Sequence, residues 1–248
     1  MIIQHNISAI NSYRNLGINQ SALSKNLEKL SSGYKINRAG DNAAGLAISE
    51  SMRSQINGLN QASANAKDAI GLIKTAEGAL SEVHSMLQRM TTLAEQAANG
   101  TYNTVARGNI QEEYKALTKE IKRISENADF NGIKPLTTGK EMTMTFQIGP
   151  TSGETITVDK EDIYGKTVTA AMSLKLSVQN DAKNALKTIK TAIDDVSTYR
   201  AKLGAAQNRL EHTVKSLDIM SENITEAESR IRDTDMAEEI TAFTKNNI

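Results

Sequence analysis

Cysteine is absent from the 248 residues. That removes disulfide scaffolds, thiolate metal sites and cysteine nucleophiles together. It leaves the compartment open, because thiol-free chains occur inside and outside cells. Tryptophan is absent too, and aromatic bulk is limited to three Phe and six Tyr. A rounded core usually leans on large aromatic side chains, so burial here must fall to small aliphatic groups. With 29 basic and 29 acidic side chains, net charge gives no case for nucleic acid or an anionic membrane as partner. No apolar run reaches the roughly eighteen residues a bilayer span needs, so no membrane insertion is expected. The N-terminus MIIQHNISAINSYRNL has no basic n-region, apolar h-region or small-residue cleavage site, and no cleaved signal is expected.

Proline is nearly absent as well, and its placement organises the chain. Pro135 and Pro150 are the two prolines, and helix interiors tolerate proline least. They stand in a middle region, about 131–170, that also concentrates glycine. Within it MTMTFQIG and GETITVDKEDI alternate apolar and polar residues around the turn-like GPTSG, which predicts a β-hairpin. The order is therefore helix, short strand-rich insert over 136–170, helix.

The flanking segments carry a seven-residue apolar repeat. Met52, Ile56, Leu59, Ala66, Ile70, Ile73, Leu80, Val83, Leu87 and Met90 form one run. Ile110, Tyr114, Leu117, Ile121, Ile124 and Ala128 form a second. Ala182, Leu186, Ile189, Ile193, Val196, Leu203, Leu210, Val214, Leu217, Ile224 and Ile231 form a third. Alternating steps of three and four predict seams wound as a coiled coil. The expected helices cover about 44–98, 104–128 and 178–232. Each long helix would run about 80 Å at 1.5 Å per residue, the two antiparallel across the insert. The fold class is thus mainly α, a long antiparallel coiled-coil helical rod with a small β-hairpin region in the middle of the chain. Its expected core holds Ile56, Leu59, Ile70, Ile73, Leu80, Leu87, Leu186, Ile189, Ile193, Leu203, Leu210, Leu217 and Ile224. Gly58, Gly71 and Gly78 within the first long helix either permit close backbone approach or are simply tolerated.

At the ends, Leu23, Leu27, Leu30 and Tyr34 continue the spacing until SSGYKINRAGDNAAG interrupts it, marking a separate N-terminal helix. Residues 1–37 carry four basic and one acidic side chain, residues 226–248 six acidic and three basic. This balance predicts that the two termini pair. Such short segments are marginal alone and are expected to order only against partners.

Reactive groups do not converge. His5, His84 and His212 stand far apart, and HExxH, GxSxG, GxxxxGK[ST] and GxGxxG are missing. Asp233 with Asp235, and Asp159 with Glu161 and Asp162, read as solvated acidic segments rather than calcium loops, which need a glycine turn and more oxygen ligands. No catalytic residue, metal or cofactor is expected. Asn99-Gly100-Thr101 and Asn223-Ile224-Thr225 match the N-glycosylation triplet, which recurs often by chance. Thr151 and Ser152 are candidate sites for O-linked sugar.

Over about 1–135 and 178–248 the chain closely resembles bacterial flagellin. The resemblance is carried by HNISAINSYRNL, LEKLSSGYKINRAGDNAAGLAISESMRSQINGL, AEGALSEVHSMLQRM and ADFNG in the first half. In the second half RAKLGAAQNRLEHTV, SENITEAESRIRDTDMAEEI and FTKNNI carry it. It implies a minimal two-shell subunit of the flagellar filament without a separate outer domain. Residues 1–43 would be the N-terminal inner-tube helix and its connecting loop. Residues 44–234 would be the coiled-coil rod domain, and 235–248 the start of the C-terminal inner-tube helix. The family continues past FTKNNI, so an incomplete inner-tube helix is expected at Ile248.

The resemblance also implies export in the unfolded state through the type III apparatus with a flagellin export chaperone. Self-assembly into a helical filament, beside the filament cap and hook-associated proteins, follows from the same likeness. Assembly is expected on the apolar positions Ile7, Ile10, Leu23, Leu27 and Leu30 of the terminal helix. Members of the family are also ligands of Toll-like receptor 5. Matching their contact patch residue by residue gives Gln88, Arg89, Leu93, Gln96, Glu113 and Val214. The departure at Thr91-Thr92, where strongly active relatives carry charge, bears on receptor potency rather than on the patch's position. Arg89 and Glu113 could equally form a subunit contact. A hook–filament junction protein or a surface adhesin are the alternative readings.

Overall fold

A computed structural model describes residues 6–137, 143–160, 165 and 174–248. The rest of the expected insert, including 161–164 and 166–170, lies outside the described residues. Among the described residues there are five helices and one two-stranded sheet: α1 (Ile7–Ser32), α2 (Ala43–Ala98), α3 (Thr104–Asn127), β1 (Thr143–Gln147), β2 (Thr155–Asp159), α4 (Gln179–Arg232) and α5 (Met236–Asn247). The expected helix limits therefore agree to within a residue or so, and the fold is mainly α with a small hairpin.

The chain divides into two compact units, one of residues up to Asn60 together with Asp218–Ile248, the other Gln61–Leu217. The divisions fall inside α2 and α4 rather than at helix ends, so each long helix contributes a segment to both units.

In the Gln61–Leu217 unit, α2 and α4 run antiparallel, since Glu77 pairs with Arg200 at 3.6 Å while Ala98 O accepts from Gln179 Nε2 at 2.9 Å. Helix α3 returns along α2: Arg107 donates to Ala97 O at 3.0 Å and Arg89 to Glu113 at 2.8 Å. One core joins all three helices, and it holds Ile73, Leu80, Val83, Leu87, Met90, Tyr114, Ile121, Ile189, Val196, Leu203 and Leu210. Each such side chain contributes about 1.5–3 kcal/mol by leaving water.

The buried face of α2 is broader than the heptad reading. Leu72 beside Ile73 and Leu93 beside Ala94 are adjacent in sequence and both buried. A helix packed by two neighbours must bury more than a single a/d seam. Alanines fill much of the difference, with Ala66, Ala69, Ala76, Ala94 and Ala97 at 2% exposure or less. Of the expected core residues, Ile70, Leu186 and Ile193 are half-buried against this cluster. Nothing lies within 4 Å of a side chain added at Gly78, and Gly71 meets only the Phe130 ring at 3.5 Å. The structure thus shows no close backbone approach at either glycine.

The connection after α3 is a tight turn with a specific chemistry. Asn131 and Gly132 both have positive φ, 52° and 83°. Phe130 and Ile133 exchange backbone hydrogen bonds at 3.0 Å. This is the two-residue hairpin turn for which Asn-Gly is the preferred pair. It places Pro135 and Leu136 in the interior, where Pro135 O accepts from the buried Tyr199 hydroxyl at 3.3 Å. The expected hairpin forms by antiparallel pairing of Met144 with Val158 and Phe146 with Ile156. Met144, Ile156 and Val158 point to the core on one face, and Asn65 Nδ2 of α2 donates to Gln147 O at 3.2 Å.

In the other unit α1 packs against α5. Asn6 caps α1 by accepting from Ala9 N, and Gly33 ends it in the left-handed conformation, φ 77°. Asp235 caps α5 through Ala237 N and Glu238 N. Leu59 is buried, and Ile56 and Ile224 are half-buried. Ser221 Oγ donates to Asn60 Oδ1 at 2.9 Å.

Burial pushes the Tyr114 phenol from its ordinary value of 10.0 up to about 12. A pKa raised in the folded state gives stability that is complete below the unfolded value and is lost as pH rises through the folded one. Urea unfolding between pH 10 and 12 is expected to show the wild type losing stability more steeply than Tyr114→Phe. Parallel slopes would place the alkaline sensitivity elsewhere.

Candidate functional site

The expected assembly residues lie on α1. Every residue from Asn6 to Ser21 is exposed, although this stretch includes Ile7, Ile10, Tyr13, Leu16 and Ile18 at 49–81% exposure. Leu27 is 49% exposed, and Leu23 and Leu30 are half-buried. On α5, Met236 and Ile240 remain 45% and 51% exposed. Among the described residues, the large apolar groups toward the start of α1 are thus left about half exposed or more. A soluble monomer rarely carries such a contiguous surface unless it meets a partner.

The predicted pairing of the termini is seen where α1 meets α5. Lys29 Nζ lies 3.3 Å from Glu239 Oε2. The buried Asn26 amide satisfies both ends with its nitrogen 2.9 Å from Glu239 Oε1 and its oxygen 3.0 Å from Asn246 Nδ2.

The interrupting segment SSGYKINRAGDNAAG builds a joint in the same unit. Lys35 N donates to Arg232 O at 2.7 Å and Thr234 N to Gly33 O at 2.9 Å. The segments that follow α1 and α4 are thereby paired antiparallel, with Tyr34 opposite Asp233. Arg232 lies over the Tyr34 ring, 4.6 Å from its centroid, and reaches Glu50 at 2.9 Å. Asp41 accepts from Asn37 N and Arg38 N at 3.2 and 3.0 Å. These two donors hold its carboxyl below the usual carboxylate range. Asn42 then starts α2 by accepting from Gly45 N at 2.9 Å. A side chain at Gly45 would stand 2.8 Å from Ile36 Cδ1, so the buried Ile36 closes directly over the backbone. Pattern reading marked this stretch only as an interruption. Of the side chains that make the joint, Tyr34 ends the apolar spacing of α1, while Lys35, Ile36 and Arg232 carry no periodic signal that would have found them.

The other expected patch lies in the Gln61–Leu217 unit. Arg89 Nε donates to Glu113 Oε1 at 2.8 Å across α2 and α3, with both side chains about half-exposed (51% and 44%). Glu113 raises the Arg89 guanidinium above its ordinary value, chiefly through this hydrogen bond. Gln88 is exposed and its amide nitrogen is 3.0 Å from His84 Nε2. Gln96 and Val214 are half-buried. Leu93, however, is 1% exposed and belongs to the core, so it underlies the patch rather than presenting a surface.

Among the described residues no group of three His, Cys, Asp or Glu side chains is placed to hold a metal, and no helix is long and apolar enough to cross a membrane. An exposed apolar helix and an exposed ion pair on facing helices are the surfaces of a helical protein that works by association.

Comparison with known proteins makes the class specific. Residues 3–141 match the bacterial flagellin N-terminal helical region, and residues 186–248 the bacterial flagellin C-terminal helical region. A flagellin of Halalkalibacterium halodurans is 49% identical over 249 residues, covering all of this chain and 91% of that protein. A flagellin of Bacillus subtilis is 48% identical over 280 residues, covering all of this chain and 92% of that protein. The crystal structure of Bacillus cereus flagellin is 32% identical, with a TM-score of 0.57 over 62% of this chain and 88% of that one. The chain belongs to the bacterial flagellin family. It is a structural subunit of the flagellar filament, an extracellular appendage built by self-assembly, and the family is structural rather than enzymatic.

Arg232→Met keeps most of the apolar stem but removes both the ring contact and the Glu50 pair, interactions of order 1 kcal/mol each. Amide exchange at Lys35 and Thr234 is expected to quicken about tenfold or more. Unchanged exchange would mean that the backbone pairing holds the joint unaided.

Proposed function

We propose that the subunit enters the filament through the apolar surface of α1, with Ile7, Ile10, Leu23, Leu27 and Leu30 as its contact positions. The observation that carries this reading is the exposure of every residue from Asn6 to Ser21, large apolar groups included. In the filament those side chains would be covered by neighbouring copies, each contributing about 1.5–3 kcal/mol on full burial. That gain offsets the entropy of fixing a terminal segment. Repeated contacts that do not close on themselves give a helical filament. Export through the type III apparatus with a flagellin chaperone, and contacts with the filament cap and hook-associated proteins, belong to the same reading and rest on the family likeness.

Leu27→Asp tests it. The site is exposed in the single chain, so the unfolding curve of the variant is expected to match the wild type within about 0.5 kcal/mol. Filament formation, followed by sedimentation and electron microscopy, is expected to stop. Normal filaments from Leu27→Asp would overturn the assignment.

A second reading rests on a separate observation, the exposed Arg89–Glu113 pair at 2.8 Å. The single subunit would be recognised by Toll-like receptor 5 at Gln88, Arg89, Gln96, Glu113 and Val214, over the buried Leu93. A guanidinium held by a carboxylate on a facing helix presents its remaining donors in a fixed plane. Because an exposed pair is worth at most about 1 kcal/mol, Arg89→Ala is expected to leave folding nearly intact. Activation of receptor-bearing reporter cells is expected to fall about tenfold or more. Equal potency of the variant and the wild type would remove Arg89 from the contact set.

A further inference from the structure

Three Asn-Gly pairs occur in the chain, at Asn57-Gly58, Asn99-Gly100 and Asn131-Gly132, and the fold treats each differently. Asn-Gly is the pair in which backbone nitrogen most readily attacks the preceding side chain, because glycine carries no Cβ to block the approach. Asn57-Gly58 lies inside α2, where each amide is held in the helical ladder. Asn131-Gly132 is fixed in its hairpin turn by the Phe130–Ile133 bonds, and Gly132 N donates to Asp129 Oδ2 at 3.0 Å. Asn99-Gly100 follows the last residue of α2 and both residues are exposed. No hydrogen bond holds the Gly100 amide among the described residues. The nearest atom to a side chain built at Gly100 would be Gln179 Nε2, at 3.9 Å.

The acceptor at this turn is also prepared. Thr101 N donates to Asn99 Oδ1 at 3.3 Å. A donor on that oxygen favours the negative charge that develops there when Cγ is attacked.

We infer that Asn99 is a site of spontaneous deamidation in the folded protein, with Asn57 and Asn131 protected by the structure. Gly100 N loses its proton to hydroxide and bonds to Asn99 Cγ. The Cγ–Nδ2 bond breaks and ammonia leaves, closing a succinimide. One water then adds to either imide carbonyl and opens the ring to aspartate or isoaspartate, with no oxidant or reductant involved. The product places a new carboxylate in the turn where Arg107 donates to Asn99 O at 3.1 Å and to Ala97 O at 3.0 Å. The isoaspartate form also lengthens the backbone between α2 and α3. The turn, which already holds the Arg107 guanidinium, gains one negative charge as the protein ages, close in sequence to Gln96.

The test is incubation of the folded full chain at mildly alkaline pH, with peptide mass spectrometry at all three asparagines. A parallel sample is kept unfolded in urea. In the folded chain Asn99 is expected to convert at least about fivefold faster than Asn131, the scale set by one hydrogen bond on the attacking amide. Asn57 is expected to be slower still. In urea the three rates should converge, because their local sequences share the Asn-Gly pair. Asp129→Ala, which releases the Gly132 amide, should raise the Asn131 rate without changing that of Asn99. Conversion at Asn131 or Asn57 as fast as at Asn99 in the folded chain would overturn the inference. So would a preference for Asn99 that survives unfolding.

Discussion

The structure depends on the mutual burial of a seam made of small aliphatic side chains. With no tryptophan and few aromatics, α2 packs its small side chains against two neighbouring helices in one core. Its alanines at 66, 69, 76, 94 and 97 each remove little surface from water. They become useful because they let two other helices approach closely, so that Leu80, Leu87, Ile189, Leu203 and Leu210 meet in one interior. The three-helix arrangement, the tight Asn131-Gly132 turn and the hairpin on the flank all serve that requirement. Among the described residues Tyr114 and Tyr199 are the two large aromatic groups fully inside, and Tyr199 anchors the chain at Pro135.

The same economy explains why the termini behave differently. Where α1 meets α5, polar contacts through Asn26, Lys29 and Glu239 substitute for a sizeable core. Toward its start α1 leaves Ile7, Ile10, Tyr13 and Ile18 about half exposed or more among the described residues. On the proposed mode of assembly, neighbouring subunits would supply the missing surface. The polar joint around Tyr34 and Arg232 fixes how this terminal pair leaves the long helices, since each of its backbone bonds links a residue after α1 with one at the end of α4.

Much of this was legible in the residues. The seven-residue repeat located α2, α3 and α4, because periodicity follows directly from which side chains must face inward. The alternation in MTMTFQIG and GETITVDKEDI located the hairpin, and opposite charge balances located the α1–α5 pairing. The joint was not legible. Its stabilising contacts are a ring under a guanidinium, a single backbone ribbon and an Asn cap, none of which repeats along the chain. The breadth of the α2 face was likewise hidden, because an alanine beside a seam reads the same whether it is buried or solvated. Leu93, one of the residues matched to the expected contact patch, is 1% exposed and packs in the core, which matching by sequence position does not reveal.

The most direct test of the account is hydrogen exchange at the amides of Ile7–Gln20 in dispersed subunits and in assembled filaments. The account predicts little protection in the dispersed chain and slowing by at least about a hundredfold on assembly, with the Leu80 region protected in both. Strong protection of Ile7–Gln20 already present in the dispersed subunit would contradict it, as would filaments in which that segment still exchanges freely.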